Sequence, residues 1–99
     1  MDNWYEELIY LLWKHQTKYV EDAVAKYFQI ESYDFHITLK VYPRTKHPKG
    51  VIFKEYDLVT GEEIDVKDMT YREAFIELNS MLNEFDKGGT WENESNILS

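Results

Sequence analysis

Hydrophobic and polar positions follow two rhythms along this chain. Tyr5, Leu8, Ile9, Leu12, Gln16, Tyr19, Val20, Ala23 and Tyr27 recur at helical spacing with no Gly or Pro among them. The pattern predicts one helix over residues 4–28, started by Asn3 with Glu6 three residues on. Trp4 and Leu11 fall off that stripe, and with Trp13 they make the first half of the helix apolar on nearly every side. Such a segment calls for a second cover besides the core. Strict alternation follows over residues 34–42. Phe35, Ile37, Leu39 and Val41 take one face; Asp34, His36, Thr38, Lys40 and Tyr42 take the other. Pro43 and Pro48 bracket a loop closed by Gly50, residues 51–58 read as a second strand, and Thr60-Gly61 marks a tight turn. Residues 63–67 read as a third strand, with Ile64 and Val66 turned inward and Asp65 and Lys67 outward.

The next helix start is sharper. Thr70-x-x-Glu73 is a capping box, and Tyr71, Ala74, Phe75, Leu78, Met81, Leu82 and Phe85 form an apolar stripe that Gly88-Gly89 ends. A helix over residues 70–86 follows. The expected class is α+β in the order α-β-β-β-α, a three-stranded antiparallel meander with both helices on one face. Residues 1–89 read as a single domain. Residues 90–99 read as a polar C-terminal tail whose Trp91, Ile97 and Leu98 are one candidate cover for Trp4, Leu11 and Trp13. A second copy of the chain is the other.

Composition narrows the function more than the fold. A chain of 99 residues buries only about 60–65% of its unfolded surface, so its 16 aromatic residues carry much of the core. It has no cysteine, which removes disulfides and thiolate zinc sites. The N-terminus MDNWYEEL has no basic region ahead of an apolar run, and the longest apolar run, Leu8 to Trp13, is far shorter than the roughly 20 residues a membrane span needs. A cytoplasmic protein without a membrane partner is expected.

The net charge is −8, and it is unevenly spread. Residues 1–54 hold 7 acids and 8 Lys/Arg, while residues 55–99 hold 12 acids against Lys67, Arg72 and Lys87. Glu62, Glu63, Asp65, Asp68, Glu73 and Glu77 form a candidate acidic surface, with Glu84 at helical spacing beyond them. Positive charge gathers on the loop that holds Arg44, Lys46, His47 and Lys49, and Arg44, Lys46 and Lys49 are candidate partner contacts at the other end of a dipolar surface. Binding of nucleic acid depends on neutralising phosphates, which the acidic half repels, so direct contact with it is not expected. A partner protein with a basic surface is.

Candidate chemistry is sparse. His15, His36 and His47 lie far apart, with no H-x3-H or HExxH spacing, and no Gly-rich phosphate loop or G-x-S-x-G occurs. No metal or cofactor is implied. The order α-β-β-β-α resembles double-stranded RNA-binding domains, which meet phosphates with lysines at the second helix start. Here Arg72 stands between Asp68 and Glu73. The stretch YDLVTGEEIDVK resembles the hairpin of the PD-(D/E)xK nuclease superfamily. That resemblance implies a divalent metal held by Asp57 and Asp65, with Lys67 orienting the attacking water. Size, acidity and absence of cysteine resemble, as a class, the inhibitors of phages and mobile elements, DNA mimics and immunity proteins among them. The favoured expectation is such an inhibitor, a small interaction protein rather than an enzyme. The nuclease and a structural homodimer are the alternatives.

Overall fold

The computed structural model describes residues 3–43 and 49–89, with side chains up to residue 84. The element order is α1 (Trp4–His15), β1 (Lys18–Glu21), β2 (Lys26–Glu31), β3 (His36–Val41), β4 (Gly50–Tyr56), β5 (Glu63–Thr70) and α2 (Tyr71–Gly89). The strands form one antiparallel sheet in the order β1-β2-β3-β4-β5, each paired with its neighbour in sequence. The α+β class stands, while the strand count rises from the expected three to five.

The two extra strands replace the second half of the expected long helix. Helix α1 stops at His15, where Gln16 turns extended at ψ 144° while its N–H still donates to Leu12 O at 2.8 Å. Thr17 then donates both its N–H and its Oγ1 to Gln29 O, which starts the β1–β2 ladder. The apolar residues at helical spacing also satisfy a hairpin. Tyr19 and Phe28 face each other across the register and pack ring to ring, centroids 4.9 Å apart. Aromatic and β-branched residues favour that outcome.

Three turns share one device. The Oδ1 of Asp22 accepts the N–H groups of Val24 and Ala25, the Oγ of Ser32 those of Asp34 and Phe35, and the Oδ1 of Asp57 those of Val59 and Thr60. A short side-chain acceptor in place of a backbone turn bond is what makes Asp and Ser good turn residues.

The strand alternation at 36–41 is kept, with Ile37, Leu39 and Val41 fully buried. Phe28 and Ile30, then Val51 and Phe53, continue the same face on the neighbouring strands. Leu8 and Leu12 of α1 and Ala74, Leu78 and Leu82 of α2 complete one core cluster with them. Both helices therefore cover a single face, α1 towards β2 and α2 over β4 and β5. The α2 cap has the expected form: Thr70 N–H donates to Glu73 Oε1 at 2.9 Å, and Glu73 N–H to Thr70 Oγ1 at 3.1 Å. At α1 the pair differs. Asn3 meets Glu6 side chain to side chain at 2.8 Å and caps no backbone N–H.

Strand β5 sits the other way up from the expectation. Val51 opposes Met69, so Met69 is buried and Lys67 and Asp65 share its face, the face of the helices. Val66, opposite Lys54, consequently turns towards the open face, 47% exposed, and Ile64 is 59% exposed. A pairing irregularity at Glu55/Tyr56 adds a residue on the β5 side between Glu63 and Asp65. Gly50, at φ 112°, lets the chain leave the loop beneath the Tyr71 ring, where an added Cβ would lie 2.7 Å from Cε1.

Candidate functional site

The acids singled out from the sequence lie along one margin of the molecule. Glu62 ends the β4–β5 turn, and Glu63, Asp65 and Asp68 lie on β5, an edge strand exposed from residue 63 to 68. Glu73 and Glu77 come from the first turns of α2 and meet Lys67, Asp68, Met69 and Ile76 around a shallow hollow of about 470 Å³. Some of this charge is answered locally. Lys67 Nζ lies 3.6 Å from Asp65 Oδ2, and Lys54 Nζ 3.4 Å from Glu63 Oε1. The Thr70 N–H, with Lys49 nearby, holds the Glu73 carboxyl below the usual range.

Lys49, at the root of the basic loop, also borders this hollow, so it neighbours the acidic margin and does not form a separate pole. Arg44 and Lys46 lie outside the described residues, as does the tail 90–99. The apolar trio on α1 has partners of its own. Trp4 packs against Phe75 with Arg72 over its ring at 5.7 Å, and its buried Nε1 has no acceptor among the described residues. Leu11 packs on the core, and Trp13, half exposed, lies against Tyr19 and Phe28.

The residues of the nuclease resemblance have other engagements. Both turn N–H groups fall on Asp57 Oδ1, and they depress its pKa, Thr60 more than Val59. Asp65 stands on β5 beside Lys67. Among the described residues no three His, Asp or Glu side chains are grouped to hold a metal ion.

A second surface was hidden in the sequence because residues 18–27 read as helix. The face away from the helices carries two cross-strand rows. One is Lys18–Gln29–Thr38–Lys54–Val66 and the other Val20–Tyr27–Lys40–Ile52–Asp68. Their members on β1 to β4 line an open groove of about 420 Å³. Lys40 lies between the rings of Tyr27 and Tyr42, at 5.4 and 5.0 Å, and the Tyr42 hydroxyl raises its pKa. Among the described residues neither Lys18 nor Lys40 has a carboxylate within ion-pair distance. The sequence signal was Asp22 two and three residues ahead of Val24 and Ala25, the turn spacing that recurs at Asp57.

No helix among the described residues is long and apolar enough to cross a membrane. No protein-family model matches the chain, and neither a curated protein nor a solved structure matches it.

Proposed function

We propose that this is a binding protein rather than an enzyme: a small acidic interaction protein of the cytoplasm that occupies a basic surface on a partner protein. Inhibitors of phage or mobile-element type and immunity proteins work in that manner. One observation carries the reading. Carboxylates spread from Glu62 to Glu77 meet on a single margin formed by β5, the edge strand among the described residues, and the flank of α2. Exposed apolar side chains stand among them, Ile64 and Val66 on β5 and Ile76 on α2. Apolar contacts ringed by charge are the usual composition of a protein interface. The partner would be a protein that itself handles nucleic acid, because such surfaces are basic.

The test uses a photo-crosslinking residue at position 77, with position 33, fully exposed in the β2–β3 turn, as control. A partner with a basic surface should crosslink from 77 and not from 33. Glu62→Lys with Glu77→Lys should slow its association several-fold, and added salt should slow the wild type similarly. Glu73 is left in place because it also caps α2. Equal crosslinking from both positions, or association indifferent to salt, would contradict the reading. So would tight, salt-sensitive DNA binding by the wild type.

A further inference from the structure

The two edges of the sheet are unequal. β1 offers four residues, Lys18–Glu21, and β5 offers eight, Glu63–Thr70. No proline interrupts β5, and its residues 63–68 are exposed. Ile64 and Val66 present apolar side chains beside a row of backbone groups that no further strand pairs among the described residues. A long edge of this kind is a template for another strand. We propose that this strand is β5 of a second copy, joined antiparallel about a two-fold axis through Val66, so that the five-stranded sheets run on into one.

Symmetry and charge fix that register. Two identical strands joined antiparallel are related by an axis normal to the sheet, so each face of one copy continues into the same face of the other. Directly opposed residues must then lie on one face, and the axis must pass through a residue rather than between two. Centring on Asp65, Lys67 or Asp68 sets that charge against itself, which is unfavourable. Centring on Ile64 opposes Glu63 to Asp65 and falls on the pairing irregularity. Centring on Val66 opposes Asp65 of each copy to Lys67 of the other and packs Val66 on its own equivalent. Within one chain Asp65 and Lys67 stand side by side at 3.6 Å, their side chains 48% and 47% exposed. They can engage across the join without giving up any buried position. The same charges would repel most other strands.

In such a dimer all helices lie on one side, and Glu77 of each copy flanks the join. The pairing takes up Asp65 and Val66 of the margin proposed above and leaves Glu62, Glu77 and Ile76 outside the join, so the partner contact is read at those positions.

Because the chain has no cysteine, one introduced cysteine reports the register. Val66→Cys lies on the axis, and cross-strand neighbours of this kind fall within the Cα separation a disulfide spans, about 4.4–6.8 Å. Mild oxidation should link it to its own copy; Val20→Cys, on the β1 edge, should stay unlinked. Wild-type protein should sediment as a dimer in the micromolar range. Asp65→Lys and Lys67→Asp should each weaken the dimer roughly tenfold or more, since both cross-join pairs become like-charged. The double variant should recover wild-type association. Far-UV circular dichroism checks that each variant folds. A wild type that stays monomeric up to millimolar concentration would overturn the proposal. So would an unlinked Val66→Cys, or a double variant no tighter than the single ones. None of these outcomes alters Glu62 or Glu77, so the partner reading is tested separately.

Discussion

The two faces of the sheet are made from the same strands and obey different rules. On β3, Ile37, Leu39 and Val41 are sealed under the helices, while His36, Thr38 and Lys40, one residue away in each case, stand on the open face. The covered face is held by shape. The open face is held by small local bonds, such as Thr38 Oγ1 to Tyr56 Oη at 3.3 Å and the lysine between two tyrosine rings. Substitution should therefore be costly on one face and cheap on the other, which leaves the open face free to change with a ligand or partner.

Adjacent residues give the strongest contrast. Leu39→Ala removes a fully buried side chain and should cost about 2–5 kcal/mol in chemical denaturation. Lys40→Ala should stay within about 0.5–1 kcal/mol. Equal losses would mean the open face is as structural as the covered one. The cover itself depends on the start of α2, where Thr70→Ala should cost about 0.5–2 kcal/mol. An unchanged denaturation midpoint would deny the capping box any part in holding the helix down.

The smallest effect belongs to the turns that keep the two faces in register. Asp22 and Asp57 each accept two backbone N–H groups, and this holds both carboxyls below their ordinary pKa. A pKa depressed by folding stabilises the fold above the unfolded carboxylate range, and that stabilisation is lost as pH falls through the depressed values. Stability should decline on the acid side of about pH 4. Asp22→Asn with Asp57→Asn should flatten that limb while keeping the acceptor geometry. Ser32 builds the same turn with no titrating group, so Ser32→Ala should shift the whole curve without changing its slope.

What the sequence made legible follows from how local each signal is. The alternation at 36–41 and the Thr70–Glu73 box are complete within a few residues, and both persist in the fold. Residues 16–31 carry apolar side chains that satisfy a helix and a hairpin alike. The choice was made by the Asp22 turn and by the Tyr19–Phe28 pairing, neither of which has Gly or Pro to mark it. The facing of β5 depended on Met69 opposing Val51, a contact between strands that no local pattern contains. The acidic margin could be anticipated because its members crowd into 62–77. The lysine and tyrosine rows of the open face could not, because they exist only once β1 and β2 are strands.

Each strand pairs with the one before it, and this bears on how the chain assembles. Every ladder can close by zipping a short hairpin, a topology that favours fast formation. The helix layer is different. Trp4 and Phe75, 5.5 Å apart, come from opposite ends of the described chain, so the contact of α1 with α2 closes a far longer loop than any of the hairpins between them. A sheet whose hairpins zip before the helices dock would leave Ile37, Leu39 and Val51 bare, and the helix pair would act as the closing clasp. Weakening that clasp, through Phe75 or the α2 cap, should lengthen the life of a sticky, half-covered sheet and show itself first as aggregation during refolding.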